Sequence, residues 1–453
     1  MTELAIYRGR FDPPGIHHRE VVDQLLKEFS AVVVCPWGPL PGRRIDENVS
    51  PAFRATMIDL AFQYPAEASA ARSLPRVEVD LRDVEDATIT PHEELEARFA
   101  SRGEVWHVVE ADFFDDQRAG LHPGARIVVV VPDGRAVPAR LPAKHRIVRV
   151  KDDVNGSLMR ERLYRNEPVH ELLSPEIAAY IERHGLYRGT EPVLATRWAF
   201  GEPRLLIVTD EHNEKAVRWA KEFERFASPN PNLILVLGGD GSMLHAIQKH
   251  WRLRLPFFGI NAGNLGFLLN NADAVLGDQF PSEGLVLRTM PMLHVELQRK
   301  DGAWHRGLTF TDAWVERSTG QSAWLEVKVG GRVRLPKLVC DGALISTAAG
   351  STAYARSMGA QPLLADTPAW MVVGSNVMDP AHWKSALLSM DTEVELHNLS
   401  PAKRPIAGFL HGVAVGDVVT MKARVSRAAC VELAFVPTYD MAEKIAQIQF
   451  PSR

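Results

Sequence analysis

Residues 232–247 read NLILVLGGDGSMLHAI. The apolar run Leu233 to Leu237 has the length of a buried strand. Gly238, Gly239 and Gly241 follow at once. Without a Cβ they let the backbone turn sharply and approach a ligand closely. A helix starting near Ser242 then offers unpaired N–H groups at the same spot, where a phosphate is favoured. Strand, glycine loop and helix in this order constrain the fold more than any other feature of the chain, because strands separated by helices imply a mainly parallel sheet. Asp240 stands in the middle of this anion-binding loop. A carboxylate beside phosphates is unfavourable unless it binds a metal or takes a proton, the two tasks of phosphoryl transfer. For a glycine-rich loop alone, a plain turn is the competing reading.

The rest of the chain repeats the alternation. Residues 1–187 carry strand candidates LAIY, AVVVCP, RVEVDL, VWHVV, RIVVVV and HRIVRV, with helical patterns between several of them. His18 to Phe29 places Val21, Val22, Leu25, Leu26 and Phe29 on one side of a helix. Ser174, Pro175 and Gly185 bracket another helix as N-cap, first-turn proline and terminator. Residues 188–203 break the rhythm and read as a linker. A fresh α/β pattern occupies 204–289. From 290 to 453 alternating strands around Asp-Gly and Gly-Gly turns signal hairpins and a β-rich domain. At 453 residues two or three domains are expected. The net charge of -4 is no reason to expect nucleic acid as a partner. Apolar runs are strand-sized, which speaks against a membrane span. Cys35, Cys340 and Cys430 are far apart and in no CxxC spacing, so neither structural zinc nor a disulfide framework is expected. With no apolar signal core at the N-terminus, a cytoplasmic protein is the expectation.

Two later stretches add to the glycine loop. GINAGNLGFL (259–268) follows one strand on. CDGALISTAAGSTAYARSMGAQP (340–362) gathers hydroxyls and glycines suited to ribose and phosphate oxygens. GGDG, NxGxLGF and DG…GSTAY in this order resemble the NAD kinase family, across about Leu205 to Pro451. The resemblance implies transfer of the ATP γ-phosphate to the 2′-hydroxyl of the adenosine ribose of NAD. It implies Asp240 as proton acceptor, with Gly238, Gly239 and Gly241 bordering the phosphates. Asn261, Gly263, Gly266 and Phe267 would flank the dinucleotide, and Asp341, Thr352, Tyr354 and Ser357 would line its pocket. Magnesium would arrive with ATP, and the chain would form a homo-oligomer. There are departures from the family. Thr311 and Asp312 stand where an Asn–acid pair is usual, so the amide is lost and the acid kept. SMGAQP replaces Ser-Ala-Gly-Gly-Pro, and NVMDPAHWKSALLS does not match the usual loop. A lipid kinase with a GGDG loop is the runner-up, although it has no need of the GSTAY segment.

The N-terminal stretch GRFDPPGIHH resembles the Gly-x-Phe-Asp-Pro-x-His-x-Gly-His signature of nicotinate or nicotinamide mononucleotide adenylyltransferases, with the likeness extending over Ala5 to Tyr187. This implies a Rossmann-like nucleotidyltransferase fold. The phosphate of a mononucleotide attacks the α-phosphate of ATP, and the protein contributes positioning and positive charge. Aligned on Phe11 and Asp12, His18 takes the second histidine position. Gly15 takes the first, and His17 replaces the glycine between. Arg54, Asp112, Ser157 and Arg160 fall at later motif positions, where Arg54 and Arg160 are kept, Asn155, Gly156 and Ser157 replace Ser-Ser-Thr, and Glu110 replaces the glycine before Asp112. Two readings stay open: His17 assumes the vacant role and the unit is an adenylyltransferase, or the unit is a non-catalytic nucleotide sensor.

Overall fold

The structure, a computed structural model, describes residues 2–38, 49–62, 77–114, 120–151, 156–190, 195–199, 201–263, 265–275, 284–365 and 367–450. It divides into two compact units, Met1–Val193 and Leu194–Arg453.

The first unit runs β1 (Glu3–Gly9), α1 (Ile16–Glu28), β2 (Ala31–Pro36), α2 (Pro51–Phe62), β3 (Val77–Val79), α3 (His92–Phe99), β4 (Glu104–Glu110), β5 (Ile127–Pro132), β6 (His145–Val150), α4 (Gly156–Tyr164) and α5 (Pro175–His184). Its six strands lie in the order β3-β2-β1-β4-β5-β6, every pair parallel. β1, β2 and β5 are continuous apolar runs because both of their faces are covered. The chain winds one way from β1 to β3 and the other way from β4 to β6. The loops after β1 and β4 therefore meet at the crevice where such sheets bind ligands. α1 lays Val21, Val22 and Leu25 on the sheet. α5 is capped by Ser174, whose Oγ accepts from Ile177 N at 3.5 Å, and ends at Gly185 with φ 62°.

The second unit begins with β7 (Ala195–Trp198), β8 (Leu205–Thr209), α6 (Glu214–Phe223), β9 (Leu233–Gly238), α7 (Asp240–His250), β10 (Phe257–Asn261) and β11 (Asn270–Asn271). It continues with β12 (Leu285–Arg299), β13 (Trp304–Thr309), β14 (Asp312–Arg317), β15 (Ala323–Val329), β16 (Arg332–Cys340), β17 (Gly342–Thr347), β18 (Ala369–Ser375), β19 (Ser385–Ser389), β20 (Glu393–Asn398), β21 (Ile406–Leu410) and β22 (Val413–Phe435), and closes with α8 (Met441–Gln449). β8, β9 and β10 are parallel neighbours.

Two features differ from the sequence expectation. The stretch read as linker contains β7, which pairs antiparallel with β12 from Leu285↔Trp198 to Arg288↔Ala195. The 289/290 boundary falls inside β12, a 15-residue strand that runs through it with a register shift between Pro291 and Leu293. A proline cannot donate to a ladder, and a bulge accommodates it. β22, 23 residues long, pairs with β12, β20 and β21 and, at Leu433 and Ala434, with β10. The α/β and β-rich parts thus share one hydrogen-bonded ladder.

Cys35, Cys340 and Cys430 are buried free thiols. Among the described residues no helix is long and apolar enough to cross a membrane.

Candidate functional site

Asp240 is the first residue of α7, two positions earlier than the expected helix start. β9 and β10 bring it to the 261–268 segment, because Asn261 pairs with Gly238 and Ala262 N donates to Gly238 O at 2.8 Å. The half-buried Asp240 carboxylate accepts from Phe267 N at 3.1 Å (Oδ1) and 3.0 Å (Oδ2), and from Leu268 N at 2.9 Å (Oδ1). Burial pushes its pKa up. The two amide donors and the charge of Lys444 oppose that rise. A carboxylate so placed is oriented and more basic than an exposed aspartate, which suits proton acceptance.

The glycines of the loop divide by role. A Cβ on Gly238 would lie 2.3 Å from Ser242 Oγ, so this glycine is required by packing. A Cβ on Gly239 or Gly241 would meet nothing within 4 Å among the described residues. Nothing among them demands glycine there, and the space is open to a ligand. Ser242 Oγ accepts from Gly239 N at 3.4 Å.

Asn261 is buried, and its Oδ1 accepts from Gly263 N at 3.0 Å, fixing the turn. Asn264 lies outside the described residues. Gly266 packs tightly, with a Cβ there 3.2 Å from Asn261 Cγ. Phe267 enters the site by its amide. Its ring is buried in a core with Met243, Leu268, Phe310 and Ala349. That core also joins the loop to the segment carrying GSTAY.

Asp312 opens β14, paired with Ser346. It is 9% exposed, and among the described residues its carboxylate has no hydrogen-bond partner. Burial pushes it up to about 6. Tyr354 is exposed, edge-on to Trp314 with ring centroids 5.4 Å apart. Burial, then the charges of Glu316 and Asp312, raise its pKa, so Asp312 and Tyr354 share one neighbourhood with the half-exposed Thr352. Ser357 uses its hydroxyl on Tyr354 O at 2.7 Å. Asp341 is held elsewhere, by Arg317 Nε at 2.7 Å and Asn376 Nδ2 at 2.8 Å. It precedes β17 while Thr347 ends it, a separation of about 20 Å at strand rise.

Sequence reasoning missed Tyr439 and Lys444. Lys444 Nζ donates to Gly266 O at 2.7 Å and Leu269 O at 2.9 Å, and the Tyr439 hydroxyl donates to Phe267 O. A lysine one turn into an amphipathic C-terminal helix carries no signal of such a role. Among the described residues no group of three His, Cys, Asp or Glu side chains is placed to hold a metal. Asp240 engages both oxygens with amides. The residues present therefore do not form a protein cage for magnesium.

In the first unit, the β1–α1 loop holds a second constellation. His18 Nδ1 accepts from Gly15 N at 2.8 Å, and its ring lies 3.8 Å from that of His17 and 5.1 Å from that of Phe11. Burial, then the charge of His17, drive the His18 pKa well down, so its ring is neutral. A Cβ on Gly15 would lie 2.6 Å from the His17 ring. The His17 imidazole thus occupies the volume into which a side chain at position 15 would project. Phe11 is core, edge-on to Tyr7 and Phe62. Asp12 is buried, its Oδ1 accepting from the Tyr187 hydroxyl at 2.6 Å.

Both arginines of the set bind main chain. Arg54 donates to Arg10 O at 3.0 Å and Trp37 O at 2.5 Å. Arg160 donates to Asp12 O at 2.5 Å and Ser157 Oγ at 3.2 Å. Asp112 is exposed, its Oδ2 3.9 Å from Arg135 Nη2. Glu110, before it, accepts from the buried Tyr7 hydroxyl at 3.1 Å. Asn155 lies outside the described residues.

The profile of the family described as "ATP-NAD kinase N-terminal domain" matches residues 170–274. An NAD kinase of Hyphomonas neptunium is 31% identical over 238 residues, covering 51% of this chain and 89% of the relative. An NAD kinase of Cereibacter sphaeroides is 33% identical over 226 residues, covering 49% and 87%. The solved structure of a yeast NADH kinase complexed with NADH aligns over 77% of this chain and 88% of its own at 14% identity, with a TM-score of 0.43. That match is too loose to carry an argument.

Proposed function

The chain belongs to the NAD kinase family, and on that premise we propose that its second unit transfers the γ-phosphate of ATP to the 2′-hydroxyl of the adenosine ribose of NAD. The observation that carries the mechanism is the Asp240 carboxylate, raised in pKa by burial and held by the amides of Phe267 and Leu268. As the ribose oxygen attacks the γ-phosphorus, the bond from phosphorus to the β-bridging oxygen breaks and ADP leaves. The hydroxyl proton passes to Asp240. The open faces of Gly239 and Gly241 at the start of α7 suit phosphate oxygens, which the helix N-terminus stabilises. Asp312, buried and without a hydrogen-bond partner among the described residues, is an acceptor waiting for a ligand hydroxyl or N–H. Tyr354 offers an exposed ring beside it. Magnesium enters as part of the nucleotide complex. The test is formation of NADP from NAD and ATP by the purified full-length chain. A preparation that instead phosphorylates diacylglycerol and leaves NAD unchanged makes it a lipid kinase.

The family's oligomeric habit is proposed for this chain too. Asp341, expected in the dinucleotide pocket, stands at the far end of β17 from Thr347 of its own chain. It reaches such a pocket from a neighbouring copy. Sedimentation at a monomer mass with full activity contradicts this.

For the first unit we propose nucleotide binding at the β1/β4 crevice, with adenylyl transfer to nicotinate or nicotinamide mononucleotide as the reaction. Its support is the His17 ring filling the volume next to Gly15. Arg54 and Arg160, both occupied by main-chain carbonyls, favour the sensing reading instead. Dinucleotide and pyrophosphate from either mononucleotide and ATP, lost in His17→Ala, decide for catalysis. No product, with a nucleotide that changes the kinase rate without being consumed, decides for sensing.

A further inference from the structure

Lys444 is 6% exposed, yet its ammonium is met by two main-chain carbonyls, Gly266 O at 2.7 Å and Leu269 O at 2.9 Å. It also faces the Tyr439 ring, 4.6 Å from the centroid. Its helix starts at Met441, behind an Asp440 cap that accepts from Glu443 N at 3.1 Å. Lys444 thus sits in the first turn, where the helix dipole disfavours a cation. Burying an ammonium is costly, so a packing role would be served better by methionine or leucine.

The turn it holds is the one that holds Asp240. Residues 266–269 present carbonyls to Lys444 and Tyr439 on one side and amides to the Asp240 carboxylate on the other. We propose that Lys444 is a positioning residue of the phosphoryl transfer: its ammonium fixes the 266–269 turn so that the Phe267 and Leu268 amides orient Asp240 to receive the hydroxyl proton. This rests on the reading of Asp240 as the proton acceptor.

The electrostatics run the same way. Burial raises Asp240 and lowers Lys444, and the charge of each opposes the other's shift. The titratable groups around the pair are Tyr439, raised by burial and by Asp240, and, facing Tyr439, Arg288 of β12 and Asp440. Lys444 is the cation that acts on Asp240 itself.

The test uses full-length protein with NAD, ATP and magnesium. Lys444→Met keeps the stem and removes the charge, Lys444→Gln keeps a donor without the charge, and Lys444→Arg keeps a cation. For Met and Gln the expected result is kcat lower by about 10–100-fold with KM for NAD within about threefold. The acidic limb of the kcat–pH profile should move up by about one pH unit, because the carboxylate has lost its cation. Arg should move the limb back toward wild type. Folding is checked by melting curves, and Gln, which preserves a hydrogen bond to the turn, is the variant that decides if Met does not fold. An unmoved acidic limb in folded Gln or Met variants overturns the proposal, as does a loss of kcat that the folded fraction accounts for. Asp240→Asn is run alongside. If it keeps near-wild-type turnover, the base assignment itself has failed, a result distinct from silent Lys444 variants on an enzyme that Asp240→Asn inactivates.

Discussion

Asp312 is a carboxylate that the folded protein holds at a disadvantage, and Asp312→Asn should reveal how much. The residue is 9% exposed, and burial alone lifts its pKa from 3.8 to about 6. At about 1.4 kcal/mol per unit the rise corresponds to about 3 kcal/mol. The sign follows from proton counting. Between pH 4 and 6 the native state keeps a proton that the unfolded chain has lost. Stability therefore falls as pH rises through that window, and the cost is complete above the folded pKa. Asp312→Asn removes the titration and keeps the shape. The variant should match wild type near pH 4 and be more stable by up to about 3 kcal/mol at pH 8. Denaturant unfolding of both proteins at unit pH intervals, followed by tryptophan fluorescence, measures the difference. NAD binding should weaken at the same time, because a charged acceptor with two oxygens becomes a neutral amide with one. A difference between the two proteins that stays flat from pH 4 to 8 refutes the reasoning.

Two further outcomes follow from packing and burial. Gly350→Ala would place a Cβ 2.5 Å from Ser346 Oγ and 2.7 Å from the Thr311 carbonyl oxygen. It should cost about 1–3 kcal/mol in denaturant unfolding and weaken NAD binding by moving the GSTAY segment. His107 is 1% exposed, and burial drives its pKa down to about 4, so it is neutral in the fold and charged in the unfolded chain below about pH 6.5. The first unit should lose stability as pH falls from 6.5 toward 4, and His107→Gln should lessen that slope in acid-unfolding curves, with the buried His92 and His18 keeping part of it.

Much of the local structure around the candidate site was legible because it is encoded by neighbouring residues. The apolar run before Gly238 forms β9, and the glycine loop leads into α7 with Asp240 at its first turn. What the sequence hid is main-chain chemistry and long-range pairing. Phe267 reads as a pocket side chain, yet its ring is core and its amide holds Asp240. Ser357 reads as a ribose hydroxyl, yet it bonds Tyr354 O. Lys444 meets a turn 178 residues away, and β7 looked like linker because its partner, β12, comes far later in the chain. The exchange of Gly15 and His17 could be read from the motif. That the His17 ring fills the space beside Gly15 could be seen only in three dimensions.

The account stands most directly on Asp240. Full-length wild type and Asp240→Asn, both shown by calorimetry to bind NAD, should be compared for NADP formation at saturating NAD and ATP with magnesium. Wild type should form NADP, and the asparagine variant, which keeps the shape but cannot take the proton, should bind NAD within a few-fold and turn over about 10²–10⁴ times more slowly. Turnover of Asp240→Asn within a few-fold of wild type would contradict the claim that this carboxylate, held by the Phe267 and Leu268 amides, receives the proton.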